Sequence, residues 1–219
     1  MFDWTGTLVN EYKLDKNVCK KMEYEISKKE GIKPELARKK YLELLNSLED
    51  RWEWYNYPLH AQILGIDWKP PQLSELSKLK IVPKAIDVLS HYRKKGHHIF
   101  LLTNAVKSVI DLRIDYLKLR KYFDLVVTTD MVESTKASGK HFEYALRYID
   151  SSTKKIYMIG DSYTQDIFPA KRFGIIAIQC KFGKGTYFHT NNNNEVNGNP
   201  LVFPDFIIHN LEELFEIIL

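Results

Sequence analysis

The sequence of 219 residues contains no run of 18 or more apolar residues, and no basic stretch followed by an apolar one stands at its start. A helix that spans a bilayer needs about 20 mostly apolar residues. A secretory leader needs a positive segment before an apolar one. We therefore expect neither a membrane segment nor a signal peptide, and we predict a cytoplasmic protein with no membrane partner.

The sequence contains only two cysteines, and its net charge is small. Cys19 and Cys180 lie far apart without the spacing of metal ligands, which indicates two reduced thiols. The net charge of +4 is too small to indicate a nucleic-acid partner, so we predict none. Lysine and arginine are in excess between residues 12 and 42, and we interpret them as a solvated helix face rather than a lid that attracts anions.

A hydrophobic content of 44% and a charged content of 27% are typical of a globular protein with a true core. Residues 14–78 show helical rather than strand periodicity; Val18, Met22 and Ile26, for example, recur every four residues. Pro70 and Pro71 are expected to break the chain before a short helix at residues 73–79. We interpret the aromatic residues 52–57 as the core of a small helical bundle, or as the place where this bundle contacts the rest of the protein. A substrate-facing role for Trp54 or Tyr57 is an open alternative.

From residue 82 onward, predicted helices alternate with short apolar strands, which is typical of a parallel sheet. We therefore predict an α/β fold with a Rossmann-like, three-layer parallel-sheet core formed by residues 1–13 and 79–219. An all-α helical cap of residues 14–78 is inserted into it. Residues 183–204, rich in asparagine with glycine and proline, are predicted to be a mobile loop.

Only Met1 and Phe2 precede Asp3, the first acidic residue. A buried parallel strand usually needs about 4 to 8 residues. Either the first strand is very short or translation starts upstream of Met1, and we favour the upstream start.

Polar residues stand at the ends of three predicted strands. Asp3 precedes a turn that contains Gly6, Thr103 and Asn104 follow a strand at residues 97–102, and Asp161 follows a strand at residues 155–159. Ligands bind outside the carboxyl ends of the strands in open α/β sheets. Two carboxylates and a hydroxyl at one edge predict a site for a metal ion and an anion.

These segments resemble the motifs of the haloacid dehalogenase superfamily, whose members are mostly phosphatases. Residues 3–8, Asp-Trp-Thr-Gly-Thr-Leu, resemble its first motif, and residues 99–104 resemble its second. Residues 159–166, with Asp161 and Asp166, resemble its fourth. Lys136 aligns with the lysine of its third motif, and Lys140 remains a second candidate.

The resemblance implies a metal site and a nucleophile. Asp3 would attack phosphorus and form an aspartyl phosphate. Asp3, the backbone carbonyl of Thr5, Asp161 and Asp166 would serve a Mg²⁺ ion, with Asp166 either orienting Lys136 or holding a metal-bound water. Because dehalogenases of the superfamily do not retain the acidic fourth motif, Asp161 and Asp166 argue against dehalogenation.

The resemblance also implies how the phosphate is bound. The Thr103 hydroxyl and the backbone of Trp4 and Asn104 would donate hydrogen bonds to its oxygens. Lys136 would neutralise charge and keep Asp3 ionised.

Thr5 departs from the family pattern, because phosphatases carry a second aspartate at this position as a general acid and base. The leading hypothesis is a Mg²⁺-dependent phosphohydrolase that acts on a small phosphorylated metabolite as a monomer or homodimer. One alternative is a phosphonate-cleaving hydrolase or slow phosphotransferase of the same fold. Another is a non-catalytic phosphate-binding module.

Overall fold

The computed structural model describes residues 1–150, 152–153, 155–182 and 202–218. Most of the predicted loop at residues 183–204 therefore lies outside the described residues. The strands are β1 (Val9–Asn10), β2 (Lys80–Ile81), β3 (Phe100–Leu102), β4 (Leu125–Val127), β5 (Tyr157–Gly160), β6 (Ile176–Cys180) and β7 (Phe206–Ile208). The helices are α1 (Tyr12–Glu30), α2 (Pro34–Ser47), α3 (Tyr57–Leu64), α4 (Lys69–Glu75), α5 (Ala85–Lys94), α6 (Lys107–Tyr116), α7 (Thr129–Val132), α8 (Lys140–Leu146), α9 (Phe168–Arg172) and α10 (Leu214–Ile217).

The main sheet is parallel, and the start of the chain joins its two halves. β3 pairs with β4, and β5 pairs with β6, which pairs with β7, all in parallel. Phe2 makes parallel bridges to Leu101 of β3 and to Ile159 of β5, so the first strand is reduced to one bridging residue. The Asp3 amide donates to the carbonyl of Ile159 at 2.9 Å, which fixes Asp3 at the carboxyl edge of the sheet.

Both faces of this sheet are covered by helices. On one face Phe142 of α8 and Ala170 of α9 pack against Met158 of β5. On the other, Leu89 of α5 and Ile110 of α6 belong to a second apolar cluster that continues into the helical insertion. The chain therefore has the predicted α/β architecture, with a three-layer Rossmann-like core and a helical cap.

The cap helices α1 to α4 lie between β1 and β2, which pair antiparallel and form a neck of two short segments. The apolar stripe of α1 is buried as its spacing predicts. The neck itself was not predicted, because strands of two residues show no periodicity. The domain limits at residues 13–14 and 78–79 stay a prediction. No helix among the residues described is long and apolar enough to cross a membrane.

Several predicted boundaries were wrong. Pro70 and Pro71 do not break the chain: they lie in the first turn of α4, where a missing N–H is harmless. The predicted strand at residues 97–102 pairs only from Phe100, and the predicted closing helix over 211–218 begins with a 3₁₀ turn, Leu211–Glu213. Cys19 and Cys180 are free cysteines.

Candidate active site

Three acidic side chains meet at the carboxyl edge of the sheet. Asp3 follows the bridging residue Phe2, Asp161 follows β5, and Asp166 lies in the π-helical turn Tyr163–Ile167. One carboxylate oxygen of each lies within 4.8 Å of those of the other two. The structure therefore brings together the carboxylates that the sequence placed on separate strand ends.

Lys136 is the cation of this cluster. Its side chain is 3% exposed, and its Nζ donates to Oδ1 of Asp3 and to Oδ1 of Asp166, both at 2.5 Å. Lys140, the alternative raised by the sequence, is exposed at the start of α8. The geometry therefore favours Lys136 as the lysine of the site.

The loop that carries Lys136 is held by two amide side chains. Oδ1 of Asn104 accepts from the Lys136 backbone N–H at 2.9 Å, and Nδ2 of Asn104 donates to Oε1 of Gln165 at 3.1 Å. The same Gln165 oxygen accepts from the Ala137 N–H at 3.0 Å. The Asn104 side chain thus holds the loop that carries Lys136. This arrangement is compatible with the prediction that the backbone of Asn104, rather than its side chain, donates to phosphate. Gln165 was missed, although it lies inside the segment 159–166.

The position of Asp166 depends on Gly160. A Cβ at Gly160 would collide with the carboxyl group of Asp166, so only glycine allows this approach. Oδ2 of Asp166 accepts from the Ser162 N–H at 3.0 Å, while Oδ1 faces Lys136. This contact fits one of the two roles that the sequence left open, in which Asp166 orients Lys136.

The cluster carries an excess of negative charge. Burial raises the pKa of Asp3 to about 7, although Lys136 lowers it. Burial, followed by the charges of Asp3 and Asp166, raises the pKa of Asp161 to about 8. Burial opposes the charge of Lys136, but Asp166 and Asp3 outweigh burial and raise the pKa of Lys136 above its ordinary value. One ammonium does not compensate three carboxylates, so the site favours a further cation.

A divalent cation fits these residues. Oδ2 of Asp3 is buried and has no hydrogen-bond partner among the described residues. Asp161 and Asp166 supply further carboxylate oxygens within the same few ångströms. Hard oxygen donors are the ligands that Mg²⁺ prefers. The donor set therefore suits Mg²⁺.

Thr103 directly follows β3 at the carboxyl edge of the sheet and is 2% exposed. Its Oγ1 accepts from the Ala105 N–H at 3.2 Å, and its carbonyl lies 3.1 Å from Nε2 of His141. Burial, and then the charge of Lys136, lower the pKa of His141 to about 3, so this imidazole is neutral and its Nε2 donates to Thr103. His141 thus supports the loop that carries Thr103, a role without a sequence signal.

The first-motif loop is tied to a buried ion-pair network. Trp4 is fully buried, and its indole N–H donates to Oε2 of Glu11 at 2.8 Å, which leaves only the Trp4 backbone for a ligand. The Thr5 hydroxyl donates to Oε1 of Glu11 at 2.6 Å. Arg113 of α6 pairs with Glu11 at 2.8 Å and with Asp15 of α1 at 2.7 Å. The network was not predicted from the sequence.

The cap contributes Tyr55 to the surroundings of the site. Burial raises the pKa of Tyr55, while the side chain of Asn104 and the charge of Lys136 lower it. Tyr57, by contrast, donates its hydroxyl to Asp15 at 3.1 Å and belongs to the network around Arg113. Of the aromatic residues between 52 and 57, Tyr55 therefore interacts with the site residues.

Comparison with known proteins identifies the class. The family model of the haloacid dehalogenase-like hydrolases matches residues 1–174. Because this match covers most of the chain and the fold agrees, the chain belongs to the haloacid dehalogenase-like hydrolases. The chain is similar to a crystallised HAD phosphatase from Thermococcus onnurineus, with a TM-score of 0.80 and 25% identity over 99% of this chain and 95% of that one.

The chain is also similar in sequence to curated proteins that are named as phosphatases. Glyceraldehyde 3-phosphate phosphatase from Pyrococcus furiosus is 24% identical over 99% of this chain and 91% of that protein. Phosphoglycolate phosphatase from Caulobacter vibrioides is 26% identical over 46% of this chain and 42% of that protein. The chain spans between 36% and 48% of the length of three of the curated relatives that it matches.

Proposed function

We propose that this hydrolase is a Mg²⁺-dependent phosphatase that acts on a small phosphorylated metabolite through an aspartyl phosphate on Asp3. The observation that carries the proposal is the unpartnered, buried Oδ2 of Asp3 beside Lys136, Asp161 and Asp166. The relatives named as phosphatases of glyceraldehyde 3-phosphate and phosphoglycolate support a small phosphorylated substrate.

In this proposal Asp3 is the nucleophile, and Lys136 keeps it ionised. Lys136 donates to Oδ1 of Asp3 and favours its ionised form, and the carboxylate of Asp3 attacks phosphorus. The Thr103 hydroxyl and the backbone N–H groups of Trp4 and Asn104 donate to the phosphate oxygens. Alignment and charge neutralisation account for most of the catalysis in phosphoryl transfer, and these groups supply both.

Mg²⁺ would be held by the carboxylates of Asp3 and Asp161 and by the Thr5 carbonyl, while Asp166 would hold Lys136 in place or bind a water of the ion. When bound, it neutralises charge on the phosphoryl oxygens. Burial, and then repulsion between the carboxylates, raise the pKa values of Asp3 and Asp161, and these raised values support the assignment because a bound cation would stabilise the ionised carboxylates.

Transfer to an acceptor other than water is the second candidate, and Thr5 favours it. A threonine hydroxyl that donates to Glu11 cannot take a proton from water as an aspartate does, so hydrolysis of the aspartyl phosphate would be slow and another acceptor could compete with water. Phosphonate cleavage is the other alternative, and it would need a Schiff base on a lysine of the helical cap rather than on Lys136. Borohydride trapping of a cap lysine with a carbonyl substrate would support it.

The test is the hydrolysis of p-nitrophenyl phosphate with Mg²⁺ by the Asp3→Asn variant. We expect turnover to be abolished, because an amide is no nucleophile toward phosphorus. Asp87→Asn on the exposed face of α5 is the matched control and should retain activity. Turnover by Asp3→Asn equal to that of the control would refute the proposal. Binding of Mg²⁺ and phosphate without turnover of any phosphate ester would favour a non-catalytic binding module.

We also propose that the protein works in the cytoplasm as a monomer or homodimer, without a nucleic-acid or membrane partner. The mild net charge supports this proposal. Light scattering of the purified chain measures the oligomeric state.

A further inference from the structure

The hydroxyl of Thr5 has a fixed hydrogen-bond partner at the position where family phosphatases carry an acid. Thr5 Oγ1 lies 2.6 Å from Oε1 of Glu11. A hydroxyl has one proton to donate and two lone pairs that accept. The direction of this single bond therefore decides what Thr5 offers to a substrate.

Glu11 can only accept in this bond. Its other oxygen accepts from the Trp4 indole at 2.8 Å and pairs with Arg113 at 2.8 Å, so it is a carboxylate between two donors. An ionised carboxylate has no proton to give. The shared proton is consequently that of Thr5, and Thr5 presents only lone pairs to the reacting group.

Glu11 is itself firmly held. Its side chain is 4% exposed and that of Arg113 is 2% exposed. Arg113 also donates to Oε1 of Gln72 at 3.1 Å and pairs with Asp15 at 2.7 Å. A buried carboxylate held by such a guanidinium does not leave its place easily, because each lost partner would leave a buried charge uncompensated.

We infer that Glu11 is a positioning residue that fixes Thr5 as a hydrogen-bond acceptor, and that turnover is thereby confined to phosphates whose leaving group departs without a proton. Such substrates are acyl phosphates, diphosphates and aryl phosphates. They differ from the alkyl phosphate monoesters for which the relatives from Pyrococcus furiosus and Caulobacter vibrioides are named. The inference rests on the proposed function and narrows its substrate class.

The chemical step balances without an acid from the protein. The bond between phosphorus and a carboxylate oxygen of Asp3 forms as the bond between phosphorus and the leaving oxygen breaks, and the leaving oxygen keeps the electron pair as an anion. An acyl, phosphate or aryl group stabilises that anion by delocalisation. In the second step, water attacks phosphorus as the bond between phosphorus and Asp3 breaks; Asp3 leaves as a carboxylate, and the protons of the water stay with the phosphate product. Thr5 accepts a hydrogen bond from this water and orients it toward phosphorus.

Glu11→Gln reverses the bond to Thr5. The Trp4 indole and Arg113 both donate, so the glutamine must turn its single oxygen toward them. Its NH₂ group then faces Thr5 and donates to Oγ1, which frees the Thr5 proton for a leaving group. Asp15→Asn is the matched control, because it alters another partner of Arg113 without a contact to Thr5.

The experiment compares kcat/KM for acetyl phosphate, p-nitrophenyl phosphate and glycerol phosphate. General acid catalysis is typically worth ~10²–10⁴-fold, so the wild type should turn over glycerol phosphate at least ~10²-fold more slowly than the two activated phosphates. Glu11→Gln should narrow this ratio at least about tenfold, and Asp15→Asn should leave it unchanged. If Glu11→Gln does not fold, Thr5→Val should keep the wild-type ratio but accumulate aspartyl phosphate, because the acceptor for water is lost.

Equal rates for glycerol phosphate and the activated phosphates in the wild type would overturn the inference and leave the proposed function intact. A Glu11→Gln ratio equal to that of Asp15→Asn would do the same, as would a Thr5→Val variant whose aspartyl phosphate decays at the wild-type rate. Failure of every substrate, with no label on Asp3, would overturn both.

Discussion

Replacement of Lys136 by methionine tests whether the buried ammonium stabilises the two carboxylates that it contacts, those of Asp3 and Asp166. Methionine keeps the length and apolar stem of lysine but removes the ammonium, which lies 2.5 Å from one oxygen of Asp3 and 2.5 Å from one oxygen of Asp166. Both carboxylates are buried, so the variant leaves two acidic groups without their shared cation.

The loss can be worked from this geometry. Two unit charges about 4 Å apart attract by roughly 4 kcal/mol at an effective dielectric constant near 20. Removal of one partner of a buried pair typically costs about 3–5 kcal/mol. For a chain of this size each kcal/mol corresponds to about 2–4 °C in Tm, so we expect Tm to fall by roughly 6–20 °C.

The loss should depend on pH in a defined direction. Lys136 lowers the pKa of Asp3, which burial holds at about 7. Without Lys136 the pKa of Asp3 in the folded protein rises further above its value in the unfolded chain. A raised carboxyl pKa removes stability as pH rises through it. The variant should therefore be less destabilised at pH 5 than at pH 8.

The assay is thermal unfolding without divalent cations, together with hydrolysis of p-nitrophenyl phosphate. Lys140→Met, on an exposed neighbour, is the control and should change Tm little. We expect Lys136→Met to lose turnover as well, because its nucleophile is protonated at neutral pH. If Lys136→Met matched Lys140→Met in both Tm and turnover, the reasoning on the buried cluster would be refuted.

Three further predictions follow from the same site. Mg²⁺ affinity should rise with pH across the range of about 7 to about 8 set by Asp3 and Asp161, because the cation must displace their protons; calorimetric titrations that show no pH dependence would contradict this. His141→Gln should lower the free energy of unfolding at pH 7, and the loss should be about 2 kcal/mol smaller at pH 5. The reason is that the lowered pKa of His141 makes the wild type, but not the variant, lose stability as pH falls below 6.5. A difference in unfolding free energy between wild type and variant that is the same at both pH values in denaturant titrations would contradict this prediction. Thr5→Asp should raise glycerol phosphate hydrolysis by ~10²–10⁴-fold, since repulsion from Glu11 raises the pKa of the new carboxyl and keeps it a proton donor; an unchanged rate would argue against it.

Local patterns in the sequence were enough for much of the fold. The buried stripe of α1 follows from residues spaced by four, and Gly31 ends that helix in a left-handed conformation. The proximity of Asp3 and Thr103 to one edge of the sheet could be predicted, because the carboxyl ends of parallel strands lie at the same edge. These features depend on neighbouring residues or on a general rule of topology.

Contacts between distant segments could not be predicted. Glu11 and Arg113 are both charged and would be expected at the surface, yet they are buried because they pair with each other. The choice between Lys136 and Lys140 depended on which one the 3₁₀ turn at 136–138 directs into the cluster. The neck of β1 and β2 escaped prediction because two-residue strands show no period.

The proposed nucleophile is Asp3, in a cluster with Lys136, Asp161 and Asp166. Acid quenching of the enzyme during turnover of acetyl phosphate with Mg²⁺, followed by peptide mass spectrometry, detects a phosphoryl group on this residue. We expect one added phosphoryl group on Asp3, absent after treatment with hydroxylamine and absent from Asp3→Asn. Turnover with no phosphoryl group on Asp3, or with the group on another residue, would contradict it.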